Sequence, residues 1–424
     1  AVVPQQVLTD PDDFDEAYDV LNEARQLLED RAELVQVQEI DVAGYFAVTD
    51  VADALQALRD AGIEAQPNHL LFSASSPWIK GVRAAPVHAS RGYASYDTAS
   101  IAGLEECCAE CPPHPGGTTG YPVHASPVHA SPVHASPVHA SPVHASYRGS
   151  GERSSTVAPA DPPSIPPRQN PNGVTVAVLD TGLAAGRFRP LALSGPGGAG
   201  LIFGPGDVDG PDEDGNGVLD PVAGHGTFIA GVIRQVAPAV DILFRRVLNT
   251  YGLGDELHIA HVMTDLLGDA LPEVVSMSFG GYGFDWKMAT LARAVRRLQR
   301  RHVVLVAAAG NDATCEPTFP AALPGVIGVA ATLDENAKHA AQFTNYGDWV
   351  RASTHGVDII SCFFDGFDDF HGGARWSGTS FSTPIVAGLI AGGAAPGDAR
   401  PSRDAVLALA PKSWLMGVPV VSPI

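Results

Sequence analysis

The sequence is poor in cysteine and in basic residues. Its 424 residues include five cysteines, of which Cys107, Cys108 and Cys111 form a cluster while Cys315 and Cys362 lie far downstream. This sparse, odd-numbered set argues against a disulfide scaffold and leaves the redox compartment open. Only 26 Lys and Arg residues oppose 47 Asp and Glu residues, which gives a formal net charge of −21. We therefore expect no nucleic-acid partner, because binding to phosphates requires clustered basic residues.

A long apolar run is also missing. No stretch approaches the ~20 residues that a membrane-spanning helix needs. The first residues, AVVPQQVLTDPDDFDE, lack the basic and then apolar pattern of a signal peptide. We therefore expect no membrane span. Because the sequence begins with Ala1 rather than Met, earlier removal of a leader stays an open alternative.

The length of the chain and its 45% of apolar residues suit one large domain and a smaller unit. Helical spacing over residues 14–30 and 51–63, with strand-like segments over 39–50 and 65–72, predicts a small α+β unit within residues 1–84. Residues 168–424 are expected to form the larger domain.

The segment between them, residues 85–167, lacks periodicity and contains an internal repeat. The sequence PVHAS runs five times in tandem over residues 122–146 and occurs once more at residues 86–90. Proline every five residues, without large apolar side chains, predicts an extended or disordered linker. Five residues of a polyproline-like chain span ~15 Å, which disfavours a zinc site built from neighbouring repeat histidines. Cys108, Cys111 and His114 are better spaced, and zinc or unpaired cysteines remain the alternatives there.

The larger domain alternates strands with helices. Continuous apolar segments occupy residues 174–180, 241–248, 272–279, 302–310 and 325–332, and helical patterns occupy residues 225–234, 256–267, 288–301 and 379–392. This alternation predicts an α/β fold whose mainly parallel sheet is covered by helices on both faces.

Three polar residues stand at the edges of these elements. Asp180 ends VTVAVLD, at the carboxyl end of a strand, where open α/β sheets place their sites. His225 lies in GHGTFIAG, whose glycines we expect to let a substrate backbone approach the imidazole. Ser380, in SGTSFSTPIVAG, begins a helix whose N-terminus favours a nucleophile and an oxyanion. Taken singly, each residue has a structural alternative: a turn-capping Asp, a structural His and an N-cap Ser.

Taken together, in the order Asp, His, Ser, the motifs VAVLDTG, GHGTFIAG and GTSFSTPIVAG resemble those of the subtilisin family of serine proteases over about residues 170–410. The resemblance implies that His225 takes the proton of the Ser380 hydroxyl while Asp180 orients the imidazole. It implies that Asn311, in VLVAAAGND, joins the Ser380 backbone N–H in stabilising an oxyanion. The function implied is a serine endopeptidase that needs no cofactor for its chemistry and cleaves a peptide or protein substrate through an acyl-enzyme.

The resemblance also places the substrate. An extended peptide is expected to pair with one side of the cleft at Ser278, Phe279 and Gly280 and with the other side at residues 251–254, including Gly252. The first specificity pocket is expected to admit a sizeable apolar side chain, and its lining residues are 307–310, including Ala308 and Gly310.

An acidic segment between Asp180 and His225, DVDGPDEDGNGVLD, raises the question of a metal. Its residues Asp212, Asp214, Asn216 and Asp220 follow a D-x-D-x-N-G spacing like the start of a calcium-binding loop. Asp207 and Asp209 are candidates for further ligands. The twelfth position is Ala223 rather than Glu, so a structural Ca²⁺ site and a solvated acidic loop remain alternatives.

The N-terminal unit resembles the prodomain of subtilisins in its helix VADALQALRDAGI and its strand AQPNHLLF. The resemblance implies a zymogen whose own N-terminal region is an intramolecular inhibitor, removed by cleavage in the linker, and it favours an extracellular location. An unrelated accessory domain is the alternative. A maturation protease or peptide ligase of narrow specificity, and a non-catalytic peptide-binding relative, are the alternatives to an endopeptidase.

Overall fold

The computed structural model of the protein describes residues 2–27, 34–40, 43–48, 50–73, 157–168, 171–268, 271–283, 288–334, 339–408, 414–415 and 418–419. The PVHAS repeats, the cluster of Cys107, Cys108 and Cys111, and His114 lie outside the described residues, as do the linker and zinc interpretations that rest on them.

Among the described residues, six helices lie close to the predicted positions, and the seventh, Arg400–Ala408, was not predicted. They are α1 (Phe14–Leu27), α2 (Val51–Asp60), α3 (His225–Val236), α4 (Glu256–Asp265), α5 (Ala289–Arg300), α6 (Thr379–Gly392) and α7 (Arg400–Ala408). In the part of the chain that the structure describes, none of these helices combines the length and apolar character needed to cross a bilayer.

The strands in chain order are β1 (Val2–Thr9), β2 (Leu34–Ile40), β3 (Ala43–Val48), β4 (Ala65–Ser73), β5 (Ala158–Pro159), β6 (Thr175–Asp180), β7 (Leu183–Ala184), β8 (Leu201–Ile202), β9 (Val208–Asp209), β10 (Asp241–Arg246), β11 (Leu253–Asp255), β12 (Val274–Met277), β13 (Phe279–Gly280), β14 (Val304–Ala308), β15 (Ile327–Thr332), β16 (Val350–His355), β17 (Ile359–Phe367), β18 (Phe370–Trp376), β19 (Trp414–Leu415) and β20 (Val418–Pro419).

The main sheet has seven strands in the order β16-β15-β14-β12-β6-β10-β8, and its paired neighbours run parallel. Its central strands β12 and β14 are buried at every residue, as expected for strands that are covered on both faces. Helices α4 and α5 pack on one face, through residues such as Met263 and Leu298, whereas α3, α6 and α7 pack on the other. The predicted α/β fold with a parallel sheet is confirmed.

The N-terminal residues form an antiparallel sheet in the order β4-β1-β3-β2. Helices α1 and α2 pack against it around a core that includes Leu21, Phe46 and Leu58. The single strand predicted over residues 39–50 is wrong in extent: β2 and β3 are two antiparallel strands, and the sequence pattern also misses β1. The sheet continues into the larger domain, since β4 pairs with both β11 and β13.

A third sheet, in the order β17-β18-β5, packs along α3 through β17. The aromatic residues Phe363, Phe364 and Trp376 from its hairpin pack with Phe228 of α3 and Phe381 of α6 in one apolar cluster. This cluster lies directly behind the N-terminus of α3 and therefore behind His225.

Candidate active site

Asp180 and His225 lie together at the carboxyl edge of the main sheet. Asp180 is the last residue of β6, and His225 is the first residue of α3. Both side chains are fully buried, and Asp180 Oδ1 lies 2.7 Å from His225 Nδ1. The same oxygen accepts the backbone N–H of Thr181 at 2.8 Å. The carboxylate is therefore fixed by its own backbone and can hold the imidazole in one orientation.

Aromatic side chains enclose the imidazole. The ring of Trp376 stands edge-on to that of His225 with 5.3 Å between centroids, and the Phe381 ring lies 5.4 Å away. Such an apolar surrounding lowers the local dielectric constant and strengthens the attraction between a carboxylate and a protonated imidazole.

The glycines beside His225 serve a purpose different from the predicted one. Gly224 has a φ of +80°, and a Cβ at this position would collide with the ring of Phe363. A Cβ at Gly226 would collide with the backbone carbonyl of Gly182. The two glycines thus let parts of the protein itself approach the start of α3, whereas the sequence interpretation expected them to admit a substrate backbone.

A second buried carboxylate, that of Asp209, accepts hydrogen bonds from the residue after Asp180 and the residue before His225. Its Oδ2 accepts the Thr181 hydroxyl at 2.6 Å and the backbone N–H of Gly224 at 2.8 Å. Burial raises the pKa of Asp209 to about 8, although these two hydrogen bonds act in the opposite direction. Sequence reasoning considered Asp209 only as a calcium ligand and missed this role, because the motif VDG gives no sign of a contact with Thr181.

Ser380 is the second residue of α6 and is buried beside Ser278. Its Oγ donates to the backbone carbonyl of Ser278 at 3.1 Å, and the Ser278 hydroxyl donates to the backbone carbonyl of Ser380 at 2.8 Å. The reciprocal bonds hold the start of α6 against the cleft. A different hydroxyl, Ser73 Oγ at the end of β4, lies 3.3 Å from His225 Nε2.

Asn311 follows β14 and faces the same helix start. Its Oδ1 accepts the backbone N–H of Thr379 at 3.0 Å and the Thr379 hydroxyl at 2.9 Å. The Thr379 Oγ1 in turn accepts the backbone N–H of Gly310 at 3.1 Å. Because Oδ1 is engaged, the amide nitrogen of Asn311 is the atom left to donate a hydrogen bond. No motif in the sequence indicates the part played by Thr379.

The predicted cleft strands both lie against the N-terminal unit. Strand β4 pairs antiparallel with β11, placing Phe72 opposite Leu253, and with β13, placing Phe72 opposite Gly280 and Ser73 opposite Phe279. The Ser73 backbone N–H donates to the carbonyl of Gly252 at 2.8 Å. The end of β4 thus fills the position between the cleft strands in the manner of an extended peptide.

Side chains of β4 also contact the N-termini of α4 and α5. Asn68 Oδ1 accepts the backbone N–H of Leu257, and Gln66 Oε1 accepts that of Ala289. Between these contacts, His69 Nδ1 lies 2.7 Å from Glu256 Oε2, and both side chains are buried. The N-terminal unit therefore satisfies backbone donors that a helix start leaves unpaired.

The residues predicted to line the first specificity pocket lie at the end of β14 and directly after it. Residues 307–310 are buried, including Ala308 and Gly310. Thr318, which sequence reasoning missed, donates from Oγ1 to the carbonyl of Ala309 at 2.7 Å. A Cβ at Gly310 would meet Asn345 Nδ2 first, at 2.5 Å, and one at Gly280 would lie 3.5 Å from the Phe319 carbonyl and 3.6 Å from Thr318 Cβ. The side chain of Thr318 thus lies near both glycines.

In the acidic loop, ligand oxygens of Asp212, Asp214 and Asp220 lie within 4.8 Å of one another. Backbone N–H groups of Asn216 and Gly217 donate to Asp212, and Tyr251 donates to Asp214 at 2.6 Å. The Asn216 Oδ1 accepts a hydrogen bond from the backbone N–H of Val218. Clustered carboxylates on a glycine-bent loop suit a hard divalent cation.

The two further ligand candidates do not belong to this cluster. The Asp207 carboxylate accepts the backbone N–H groups of Gly204 and Arg246. Asp209 faces Thr181 and Gly224, as described above. Each carboxylate is committed to fixing backbone near β9, which corrects the suggestion that they extend the metal site.

The sequence matches the subtilase family over residues 171–393. It is 33% identical over 232 residues to a thermostable alkaline protease of Halalkalibacterium halodurans, covering 52% of this chain and 56% of that protein. It is 33% identical over 229 residues to Subtilisin Savinase of Lederbergia lenta, covering 52% of this chain and 76% of that protein. A solved structure of the protease domain of PatA shares 25% identity, with a TM-score of 0.49 over 61% of this chain and 94% of that chain. The chain spans about half the length of the first of these relatives.

Proposed function

The chain belongs to the subtilase family, and from this we propose that it is a serine endopeptidase in which Asp180, His225 and Ser380 hydrolyse peptide bonds through an acyl-enzyme. One observation carries the proposal: the buried 2.7 Å contact between Asp180 and His225 lies beside a cleft whose two edge strands hold an extended segment. The names of the curated relatives, which are proteases, agree with it.

In the proposed mechanism, the contact with Asp180 keeps the proton of the imidazole on Nδ1 and leaves Nε2 as the base. His225 Nε2 takes the proton of Ser380 as Oγ attacks the substrate carbonyl carbon. The imidazolium, stabilised by the buried carboxylate, then gives this proton to the departing amine. A water molecule repeats the sequence on the acyl-enzyme and restores Ser380.

The negative oxygen that develops during attack requires donors fixed in advance. We assign this role to the Asn311 side-chain amide and the Ser380 backbone N–H. The support is the pair of hydrogen bonds from Thr379 to Asn311 Oδ1, which sets the direction of the remaining amide nitrogen. The positive end of the α6 dipole adds to the same effect.

We propose further that the protein is a zymogen and that its N-terminal region inhibits the site within the same chain. The support is that strand β4 pairs with both predicted cleft strands, and that Ser73 Oγ lies 3.3 Å from His225 Nε2. Ser380 Oγ meanwhile donates to Ser278. Removal of β4 would take Ser73 away from the His225 imidazole and would expose the two cleft strands at the same time. Activation is therefore coupled to departure of the N-terminal unit.

A fluorophosphonate probe tests the enzyme assignment. We expect labelling and peptide hydrolysis in the wild type and neither in Ser380→Ala. The matched control is Ser382→Ala, in the same helix, because the Ser382 hydroxyl donates to the Thr354 carbonyl away from the site. Labelling that survives in Ser380→Ala would overturn the assignment, and a wild type that binds peptides without labelling or hydrolysis would be a non-catalytic relative.

A maturation protease or peptide ligase of narrow specificity shares the same chemistry up to the acyl-enzyme. The products distinguish them. Hydrolysis of varied peptides at comparable rates indicates an endopeptidase, whereas joined products formed in the presence of an amine-bearing peptide indicate a ligase. Mass spectrometry of both product types in a single incubation separates the alternatives.

We propose that Asp212, Asp214 and Asp220 hold a structural Ca²⁺, with Asn216 shaping the loop. The support is the 4.8 Å clustering of three carboxylate oxygens, whose mutual repulsion a cation would relieve. The ion would supply loop rigidity, and the mechanism above uses none of its ligands.

A further inference from the structure

The helix that carries His225 has no side-chain cap of its own. His225 is the first residue of α3, and the N-cap position is Gly224, which has no side chain to accept a backbone N–H. A helix start leaves its first backbone donors without partners inside the helix, and a Ser, Thr, Asp or Asn at the N-cap usually accepts one of them. Here the partners come from other parts of the chain, so the position of His225 depends on them.

Two residues supply these partners. Thr181 Oγ1 accepts the backbone N–H of Gly226, the second residue of α3, at 3.0 Å. Asp209 Oδ2 accepts the backbone N–H of Gly224 at 2.8 Å. His225 therefore lies between two backbone groups, each of which is held by a side chain from outside the helix.

The two partners are joined to each other and to Asp180. The Thr181 hydroxyl donates to the same Asp209 oxygen, Oδ2, at 2.6 Å. Thr181 directly follows Asp180, and its backbone N–H donates to Asp180 Oδ1 at 2.8 Å. This Oδ1 is also the oxygen that contacts His225 Nδ1. A single chain of hydrogen bonds therefore runs from Asp209 to both members of the Asp180–His225 pair.

Packing leaves this arrangement little freedom. Thr181 and Asp209 are buried, and β7 and β9 pair in parallel so that Ala184 lies opposite Asp209. The Ala184 backbone N–H donates to the hydroxyl of Thr227 in α3 at 2.7 Å. Because a packed interior has few voids into which groups can relax, we expect removal of the Asp209 carboxyl to displace the start of α3.

The Asp209 carboxyl can fix the backbone without competing with Asp180 for the imidazole. Burial raises the pKa of Asp209 to about 8, so at pH 7 the group is mostly neutral and adds no second negative charge. Its Oδ1 is buried and has no hydrogen-bond partner among the described residues. Since Oδ2 accepts two hydrogen bonds, the proton belongs on Oδ1. Asparagine has the shape of this neutral acid and keeps an oxygen that can accept both bonds.

We propose that Asp209 is a positioning residue for the peptidase reaction, which holds Asp180 and His225 in the relative orientation that proton transfer requires. It acts through Thr181 and Gly224, where its hydrogen bonds end. The inference rests on the proposed function, because it assigns a role in that same reaction. An interaction that orients catalytic groups serves the chemical step, so its loss lowers kcat and leaves KM nearly unchanged.

Substitution of Asp209 tests the proposal. We expect Asp209→Ala to lower kcat by ~10–10²-fold, as for a misplaced catalytic group, with KM within about threefold. Asp209→Asn keeps the accepting oxygen and is expected to retain kcat within about threefold. Steady-state kinetics on one peptide measure both constants. The end point of fluorophosphonate labelling gives the concentration of active sites, so that kcat refers to folded enzyme alone.

Glu273 provides a matched control. Its carboxylate also accepts two backbone N–H groups, those of Thr175 at 2.7 Å and Gly397 at 2.8 Å. It lies at the opposite end of β6, of which Thr175 is the first residue and Asp180 the last. We expect Glu273→Ala to lower the midpoint of thermal unfolding while kcat per labelled site stays unchanged. Equal losses of kcat in Glu273→Ala and Asp209→Ala would show a general structural effect and overturn the proposal.

A second pair of variants tests the other end of the hydrogen-bond chain. Thr181→Val keeps the shape of the side chain but loses the hydroxyl, so it breaks the bonds to Asp209 and Gly226 together. Thr181→Ser keeps the hydroxyl. We expect kcat to fall ~10–10²-fold in the valine variant and to be retained in the serine variant. This pair decides the question even where Asp209→Ala fails to fold.

Thr264→Val is the control for the valine substitution, because the Thr264 hydroxyl donates to the Ala260 carbonyl within α4. It is expected to retain kcat. A double variant of Asp209→Ala and Thr181→Val adds a further check. Residues that act through one network have non-additive effects, so the double variant is expected to lose little more than the larger single loss. Losses that multiply would show two independent roles and contradict the proposal.

The outcomes separate this inference from the proposed function. Unchanged kcat per labelled site in Asp209→Ala, or a rise in KM alone, overturns the inference and leaves the proposed function standing. An asparagine variant as impaired as the alanine variant does the same, because the accepting oxygen would then be irrelevant. A wild type that neither labels nor hydrolyses peptides overturns both.

Discussion

At the scale of single residues, the Asn311 amide has its two ends in different environments. Thr379 occupies Oδ1 with two hydrogen bonds, which leaves the amide nitrogen as the end that can serve the proposed oxyanion. A group of this kind stabilises the transition state more than the bound substrate, so its loss lowers kcat and leaves KM nearly unchanged.

We therefore expect Asn311→Ala to lower kcat by ~10²–10³-fold, the loss known for an oxyanion donor in a subtilisin, with KM within about threefold. Steady-state kinetics on one peptide measure both constants. Asp312→Ala is the matched control, because its carboxylate accepts the Tyr282 hydroxyl outside the site. A rise in KM with unchanged kcat would show that Asn311 binds substrate instead.

Asp209 connects the site to the stability of the fold. Burial raises its pKa to about 8, whereas an unfolded Asp titrates near 4. Between these values the folded protein binds the extra proton, so the contribution of Asp209 to the free energy of unfolding falls as pH rises from about 4 to 8 and is constant above 8.

We expect Asp209→Asn, made in Ser380→Ala protein to prevent self-cleavage, to gain stability relative to its parent as pH rises from 5 to 8. Denaturant unfolding at several pH values measures the difference. Asp265→Asn, at a carboxylate with 61% side-chain exposure, is expected to show no such trend. A difference that is constant with pH would contradict the raised pKa.

At the scale of elements, the starts of α4 and α5 depend on side chains from another part of the chain. Asn68 accepts the backbone N–H of Leu257 at 3.1 Å and also donates to Asp255, the N-cap of α4. Gln66 accepts the first backbone N–H of α5. Without β4, the backbone N–H groups of Leu257 and Ala289 would donate to water instead.

We expect Asn68→Ala to destabilise the docked N-terminal unit by about 1 kcal/mol, the usual cost of a lost cap. Hydrogen exchange of Ser380→Ala protein should then be faster at Leu257 and along β4. Gln56→Ala, whose side chain donates to Asp60 on the exposed face of α2, should leave both rates unchanged. Equal rates in Asn68→Ala and its parent would show that the cap contributes nothing to docking.

The elements that the sequence predicted are those whose pattern is local. Strands such as β6 and β14 are continuous apolar runs, and α6 follows directly from the motif around Ser380. Strand β1 was missed because Pro4 and the pair Gln5-Gln6 interrupt both apolar continuity and alternation in VVPQQVLT. The hairpin of β17 and β18 gave no clean alternation, since its inward face packs Phe363 and Trp376 against helices.

At the scale of the whole molecule, the sequence indicated which residues form the candidate site but not what lies against them. Asp180, His225 and Ser380 can be recognised because each lies in a motif formed by its neighbours in the sequence. Contacts such as Ser73 with His225, Asp209 with Thr181 or Thr318 with Ala309 join segments with no shared motif. Long-range packing decides these contacts, so only the folded chain reveals them.

The net charge of −21 bears on the calcium proposal. Self-repulsion destabilises a strongly acidic fold, so any divalent cation stabilises it to some degree through screening. A specific site differs in two ways. Its effect depends on the particular carboxylates that bind the ion. It also follows mass action, with ~1.4 kcal/mol of added stability per tenfold rise in free Ca²⁺ above Kd.

We expect this slope in Ser380→Ala protein and expect it to vanish when Asp212→Asn and Asp214→Asn are added. Thermal unfolding at a series of buffered Ca²⁺ concentrations measures it. The control adds Asp15→Asn and Asp19→Asn, which remove the same charge from exposed positions of α1 and should leave the slope intact. If both double variants lose the slope equally, the cation acts on the total charge and the loop is a solvated acidic segment.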